Sequence, residues 1–530
     1  MAAPRNTRPS PQGTPEPFFD ALVVVPPPSP SDTNPPLGPA VLATVAARSG
    51  FRVEVLDLNI LLLRRFESRA AGLSRTLGDH GKDRSGVAAA AEWLFAHTGL
   101  RDTPPLHLPD TADPVAGMHY PLSAVTAAVT VAANDPEPWR AWLEQQLRGL
   151  CDRSPTMVGV SLMGPSQVFA GLLVLRVAKE IWPGTTTVLG GSHVTLLREE
   201  MLRDPRLGEV ADLVLAGHCE DEFVAALARL SPRGIRRPLL PPRPPADTRF
   251  EYLPTFSERQ LAHYDRRWLT LPVQFTRGCS YGRCTFCTYP VVEPQITALA
   301  PDAARGTIDA LVRAHGVRRF SLKDSLFTAP MLRALAQALL REPVAGGVRW
   351  SATTKASRAL IPLAPLLADS GLDTVEIGVE TISPTGQRLF DKRADPAMLE
   401  ELILALAEQG ITVVTNLIFG FPGEREQEAR AQLAWFLRLR ATAPADRVDC
   451  SLNMLEMVRG APMVTHPPPE VELNGVAPWA FSYAWNAPAW RRDFAGGLER
   501  VERARREAPP LADTTAHLDP AAQPATSPRS

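Results

Sequence analysis

The chain has 530 residues, 45% apolar and 21% charged, enough material for two or three domain cores. Its 56 lysines and arginines nearly balance 57 acids, and a net charge of −1 removes the electrostatic case for binding nucleic acid or an anionic membrane. No apolar run reaches the length of about 18 residues that a membrane helix needs. Six cysteines are too few for a disulfide scaffold, so a cytoplasmic protein is expected.

Residues 1–17 hold five prolines and almost no apolar residues; they read as a disordered lead-in rather than a secretory signal. A β-branched run at 21–25 reads as a strand. After Pro35, Pro36, Leu37 and Gly38 comes a helix to about residue 49, then a second strand at 51–57. Further strands are expected at 157–163, 186–189 and 212–216, with a helix at 167–181. Strands alternating with helices imply right-handed βαβ units, so 18–235 is expected to form a doubly wound, mostly parallel α/β domain. The mixed stretch at 61–154 reads as an insertion. Prolines crowd 230–249, where neither a helix nor a central strand can persist, and 236–270 reads as a linker.

A second alternation follows. Strands are expected at 271–276, 319–322, 348–352, 374–379, 411–419 and 448–454, with helices at 301–315, 329–341, 361–370, 396–409 and 424–440. That count exceeds a small open sheet and falls short of a closed eight-fold barrel, and fits a partial (β/α)6 barrel of the TIM type over 271–457. An accessory segment at 458–502 carries Trp479, Phe481, Tyr483, Trp485 and Trp490, expected to pack on the barrel mouth; 503–530 reads as a disordered tail.

The strongest chemical signal directly follows the first barrel strand: Arg277-Gly278-Cys279-Ser280-Tyr281-Gly282-Arg283-Cys284-Thr285-Phe286-Cys287. In parallel α/β folds ligands bind beyond the carboxyl ends of strands, which is where this loop falls. Structural zinc wants a fourth ligand, usually from a second cysteine pair, whereas Cys151, Cys219 and Cys450 are isolated. Three thiolates would suit a four-iron cluster with one iron left open to an exogenous ligand.

The Arg-Gly-Cys lead, the cysteine triad and Phe286 before its third member resemble the radical S-adenosylmethionine (SAM) enzymes. The spacing here is x4 then x2, where x3 then x2 is common in that family. The likeness continues through Asp324 after the second strand, Ser351 in Trp350-Ser351-Ala352, Glu380 in Gly378-Val379-Glu380-Thr381, and Gly420 in Gly420-Phe421-Pro422-Gly423-Glu424. It implies a [4Fe–4S] cluster on Cys279, Cys284 and Cys287, with SAM held near Phe286, Asp324, Ser351, Glu380 and Gly420.

The first half resembles the cobalamin-binding domain that precedes this barrel in one large subclass. The likeness rests on Pro36, Leu37 and Gly38; on Ser161, Leu162 and Met163; on Gly190, Gly191, Ser192 and His193; and on Gly217 and Glu220. These residues are the cobalamin contacts that the resemblance implies. The Asp-x-His-x-x-Gly motif is absent, so His193 and His218 are expected to pack rather than to ligate cobalt. The family implies SAM cleavage to a 5′-deoxyadenosyl radical, and methyl transfer to an unactivated carbon or to phosphorus of a natural-product or peptide substrate. An external one-electron donor of flavodoxin or ferredoxin type would supply the electron. Rearrangement or cyclisation without methyl transfer is the alternative, and a cobalamin sensor is the non-enzymatic one.

Overall fold

The protein is described by a computed structural model over residues 19–27, 34–61, 139–151, 153–164, 167–230, 253–444, 447–474 and 481–495. The expected lead-in, the tail and most of the 61–154 and 230–249 stretches lie outside the described residues. No described helix is long and apolar enough to cross a membrane.

The first sheet holds β1 (Ala21–Val25), β2 (Val53–Asp57), β3 (Met157–Ser161), β4 (Thr186–Gly190) and β5 (Leu213–Val214) in the order β2-β1-β3-β4-β5. Every pairing is parallel. This is a doubly wound sheet whose strand order reverses between β1 and β3, the place where such sheets open a crevice for ligands. Both faces are covered, which is why β1 is buried throughout and reads as a continuous apolar run. Helices α1 (Leu37–Arg48) and α5 (Glu220–Leu230) cover one face around Ala21, Val23, Ala46, Phe223 and Leu227. On the other side lie α2 (Trp139–Leu150), α3 (Val168–Ile181) and α4 (Ser192–Arg203). Part of the expected insertion is thus an ordinary crossover helix: α2 buries Trp142, Leu143 and Leu147.

The second sheet has six parallel strands in sequential order: β6 (Leu271–Val273), β7 (Arg319–Leu322), β8 (Arg349–Lys355), β9 (Leu372–Glu380), β10 (Thr412–Phe419) and β11 (Val448–Met454). The end strands β6 and β11 are not paired with each other, so the barrel is open. Outward residues such as Trp350, Val375 and Ile377 are buried against helices α6 (Pro301–His315), α7 (Ala329–Arg341), α8 (Pro396–Glu408) and α9 (Glu426–Thr442). Inward residues alternate with them, as the period of two requires. Ser321, Ser351, Thr353, Lys355, Glu376 and Asn416 stay half-exposed. A closed barrel fills its interior with branched apolar layers; this lumen is polar and open.

Two expected helices change at their ends. The 361–370 helix is a 3-10 turn, Arg358–Leu363, followed by a short helix, Ala364–Asp369. Pro362 and Pro365 lack the N–H that a regular helix interior needs. The helix expected from 424 begins at Glu426, because Arg425 forms the cap with Glu428 while Glu424 turns back to Gly420.

The segment after residue 253 is no free linker. Phe256, Leu261, Tyr264 and Leu269 are buried, and side chains bond it to the first sheet. The Tyr264 hydroxyl donates to Asp57 Oδ2 at 2.5 Å, Ser257 to Glu54 at 2.6 Å, and Thr44 to Thr255 at 3.0 Å. Nearer the strand ends, the two halves are joined by ion pairs of Arg277 with Glu220 and of Arg459 with Glu200, the latter at 3.0 Å.

Candidate functional site

The cysteine loop rises on a small stem in which Thr276–Arg277 pairs antiparallel with Thr297–Ala298. Gly278 closes it: its φ is +75°, and a Cβ there would stand 2.5 Å from the Gln295 carbonyl oxygen. Its N–H donates to Glu293 Oε2 at 3.0 Å, and Glu293 also accepts from Gln274 and Ser325. Glu293, which sequence reasoning missed, is therefore the loop's internal brace. Cys284 and Cys287 are linked by an N–H···O bond of 3.2 Å across their own turn.

All three thiols are free and half-buried. Burial raises the Cys284 pKa, and it pushes the Cys287 thiol up to about 11. The Cys279 charge adds to both effects, and that of Cys284 adds to the second. A bound cationic centre would stabilise such a group as thiolates. Among the described residues no three His, Cys, Asp or Glu side chains converge as on a single metal ion. One tetrahedral zinc, with Zn–S bonds of about 2.3 Å, would demand that convergence. A four-iron cluster takes each thiolate on a different iron and does not require that convergence.

The residues expected around SAM divide into two groups. Ser351 lies half-buried on the inner wall of β8, open to the lumen. Glu380 ends β9 at a break in the β9–β10 register, with φ at +63° and an ion pair to Lys392 at 3.0 Å. Glu380 lies beside the turn that the cysteine loop contacts through Tyr281. Phe286, Asp324 and Gly420 make contacts within the protein itself. Phe286 packs edge-on against Phe390 at 5.1 Å. A Cβ on Gly420 would meet Arg491 Nε at 2.6 Å, so the accessory segment occupies the space beside it.

Asp324 is the most heavily hydrogen-bonded of these residues. Its Oδ1 accepts from the Phe275 N–H at 2.9 Å, the Thr276 N–H at 2.5 Å and the Thr276 hydroxyl at 2.7 Å, while Oδ2 is buried without a partner. It pins the exit of β6, from which the cysteine loop springs. Asp324→Ala, which removes the shared acceptor, is accordingly expected to lower unfolding stability by about 1–3 kcal/mol, the cost of leaving buried donors unpaired. Thermal melts of the variant check this, and an unchanged melting temperature contradicts it.

Glu424 gives a pH signature. Burial pushes its carboxyl up to about 8 from an ordinary 4.5, against the bond that Oε2 accepts from the Gly420 N–H at 2.5 Å. The unfolded chain releases this proton first, so the group's contribution is full below about pH 4 and declines as pH rises toward 8. Glu424→Gln is expected to melt near the wild type at pH 5 and above it at pH 8, at about 1.4 kcal/mol per unit of pKa shift removed. Parallel pH profiles for the two proteins would contradict this.

On the first domain, the expected contacts form a ledge along the strand ends. Pro36 caps α1, and Gly38 is exposed with nothing within 4 Å of a Cβ placed on it. Ser161 is half-buried, Leu162 is buried and Met163 is 46% exposed. Gly191 (φ +105°) presses on Leu162, whose carbonyl oxygen lies 2.2 Å from a Cβ built there. The Gly190 carbonyl accepts from the Leu162 N–H at 2.8 Å, and the Ser192 hydroxyl donates to the Met163 carbonyl at 3.1 Å, so β3 and β4 finish as one stitched edge. Gly217 is exposed at the end of the ledge.

Two ledge residues are taken by the protein itself. His193 is buried and stacked on Phe481 at 5.7 Å, with neither ring nitrogen hydrogen-bonded; burial holds its pKa at about 4, keeping it neutral. Glu220 is the partner of Arg277.

A six-stranded open parallel barrel with a cysteine triad in its first loop can be compared with known families, and residues 273–435 match the Radical SAM superfamily. The barrel is a radical SAM domain. Among curated relatives is an uncharacterized methyltransferase of Pyrococcus horikoshii, 23% identical over 301 residues, or 54% of this chain and 64% of that one. Another is the anaerobic magnesium-protoporphyrin IX monomethyl ester cyclase of Rubrivivax gelatinosus, 24% identical over 51% of this chain and 52% of its own. The chain thus spans about half to two thirds of these relatives. Two solved structures share the α/β domain as well as the radical SAM domain. The methyltransferase TsrM from Kitasatospora setae, with tryptophan substrate and a SAM analog bound, superposes with a TM-score of 0.56 at 17% identity, covering 93% of this chain and 90% of that one. The cobalamin-dependent SAM radical enzyme OxsB, with aqua-cobalamin and SAM, gives 0.60 at 11% identity, covering 92% and 67%. Both halves of the chain share the fold of these two enzymes.

Proposed function

We propose that this chain is a cobalamin-dependent radical SAM enzyme, a methyltransferase that modifies an unactivated carbon, or phosphorus, of a small molecule or peptide. The observation that carries the reading is the meeting of two sites. The three-cysteine loop stands at the carboxyl ends of the barrel strands, and the Arg277–Glu220 ion pair ties its stem to the ledge of the first domain. The TsrM and OxsB folds support it.

In this reading Cys279, Cys284 and Cys287 hold a [4Fe–4S] cluster, and the ledge from Gly38 through Met163 to Gly217 holds cobalamin. When bound, the cluster would supply the electron that cleaves SAM to methionine and a 5′-deoxyadenosyl radical, and cobalamin would carry the methyl group. The chain's own residues position and enclose these groups. Gly278 and Glu293 fix the loop, Glu380 and Lys392 present a buried charge pair beside it, and Ser351, Lys355 and Asn416 line a polar lumen for substrate. An external one-electron donor, a flavodoxin or ferredoxin, completes the system.

The test is anaerobic reconstitution with iron, sulfide and cobalamin, then incubation with methyl-labelled SAM, a reductant and candidate substrates, free tryptophan among them. Label in product together with 5′-deoxyadenosine is the expected result. 5′-Deoxyadenosine with an unlabelled, ring-closed or rearranged product would replace methyl transfer with the alternative chemistry. No SAM cleavage with any substrate tested, by a protein carrying its cluster, would sink the catalytic reading.

A further inference from the structure

His193, Leu196 and Glu200 are spaced three and four apart in α4, so they fall on one face of that helix. The first turn of α4 is also the end of the ledge, where Gly191 and Ser192 meet Leu162 and Met163. The accessory segment meets each of the three. The Phe481 ring stacks on His193, with centroids 5.7 Å apart and planes 18° from parallel. A Cβ on Gly460 would stand 3.2 Å from Leu196 Cδ1. Arg459 Nη1 lies 3.0 Å from Glu200 Oε1.

These contacts come from one small hairpin, in which Met457–Val458 pairs antiparallel with Ser482–Tyr483. The Arg459 N–H donates to the Phe481 carbonyl at 3.0 Å, and the Arg459 guanidinium lies 5.2 Å over the Tyr483 ring. Arg459 is 8% exposed, a buried cation paired with an acid of the other domain. A surface pair there would matter little, but breaking a pair at a buried charge leaves that charge uncompensated.

The same run holds the cysteine loop. A Cβ on Gly460 would also stand 3.7 Å from both Val291 methyls, in the short helix Tyr289–Val292 that follows Cys287. The Met463 N–H donates to the Thr285 carbonyl at 2.7 Å, between Cys284 and Cys287 in the chain. Met457 and Met463 are buried in one cluster with Phe390, Phe421 and Trp485, and Phe286 packs against it. The short run from Arg459 to Met463 thus touches both the helix of the ledge and the loop of the triad.

We propose that the run 459–463 is the spacer that sets the gap between the ledge and the cysteine triad, with Arg459 as its positioning residue. The inference rests on the reading under Proposed function, which puts cobalamin on the ledge and an iron–sulfur centre on Cys279, Cys284 and Cys287. Group transfer between two bound partners depends on their separation, and a misplacement of about 1 Å costs roughly a hundredfold in rate. The Tyr264–Asp57 and Ser257–Glu54 bonds that also join the halves lie on β2, at the far edge of the sheet. They hold the domains together but leave the β4 end of the ledge to the accessory segment and to the Arg277–Glu220 pair. Arg459 acts through the placement of α4 and is not a catalytic residue.

The experiment needs no substrate. The full-length chain, reconstituted with iron, sulfide and cobalamin, is poised with its cobalamin as paramagnetic cob(II)alamin. The microwave power that half-saturates the cob(II)alamin electron paramagnetic resonance is then read with the iron–sulfur centre oxidised and with it reduced. The oxidised centre is diamagnetic, whereas the reduced one carries an unpaired electron that relaxes a neighbouring spin steeply with distance. In the wild type, reduction is expected to raise the half-saturation power. Arg459→Met, which releases Glu200, and Gly460→Val, which wedges Leu196 from Val291, are expected to lose most of that rise at full iron and cobalamin content. Glu199→Gln, beside Glu200 but 77% exposed, is expected to keep it. A full rise in Arg459→Met overturns the proposal, whatever its melting temperature; Gly460→Val decides if Arg459→Met loses a cofactor. Loss of a cofactor from both overturns it too, by making the run part of a cofactor site or of the packing. So does a wild type that carries both cofactors and shows no rise, because no close gap is then held. A wild-type chain that loads no cobalamin or no four-iron centre overturns the reading under Proposed function instead.

Discussion

Replacing Cys279, Cys284 and Cys287 with alanine is expected to take anaerobically reconstituted protein from about four irons per chain to none, and to abolish 5′-deoxyadenosine formation. The fold should survive. The three thiols are half-buried and their loop is held by other groups: the Gly278 N–H on Glu293, the Thr276–Arg277 stem, and the Tyr281 and Thr285 bonds to the Asp391 turn. Alanine at Cys151, Cys219 or Cys450 is expected to leave the iron count unchanged. Cys151 and Cys450 are buried in the core, and Cys219 stands in the loop before α5. Iron and sulfide analysis with visible absorbance decides the matter. A triple variant that kept its iron would falsify the assignment of these thiols.

The second large effect contrasts two glycines on the same ledge. Gly38→Trp is expected to abolish cobalamin uptake while leaving iron content and melting temperature near the wild type, since nothing lies within 4 Å of a Cβ there. Gly191→Val, by contrast, is expected to damage the domain. Its Cβ would stand 2.2 Å from the Leu162 carbonyl oxygen at a φ of +105°. The left-handed backbone costs about 1–2 kcal/mol for an L-residue, and overpacking against backbone adds about 1–3 kcal/mol. A bulky residue at 191 thus reports on folding before it reports on the ligand. Cobalamin content after gel filtration, beside thermal melts of both variants, separates the cases. Normal cobalamin binding by Gly38→Trp would remove the α1 end from the proposed site.

The sequence by itself determined the class of fold and the chemistry of the loop. Alternating β-branched runs and helical periods specify parallel βαβ units, because the residues that must be buried recur with those periods. Three cysteines in nine residues, with glycines beside them, mark a thiolate site by composition alone. The position of that site after the first barrel strand was equally legible.

Tertiary structure decided what each carboxylate does. Asp324 and Glu380 both end strands beside the cysteine loop, and local sequence does not distinguish them. The fold brings Phe275 and Thr276 donors onto Asp324, making it a pin, while it sets Lys392, twelve residues downstream, against Glu380. Lys392 carries no signal of its own, since one lysine among many charged residues reads as surface. The same holds for His193: its motif suggests a ligand contact, but only the return of Phe481 across the domain boundary makes it a buried, stacked ring. Periodicity reports burial along one element. Partner choice for a charged group depends on which distant segments the fold brings within about 4 Å, and that information exists only once the chain has closed on itself.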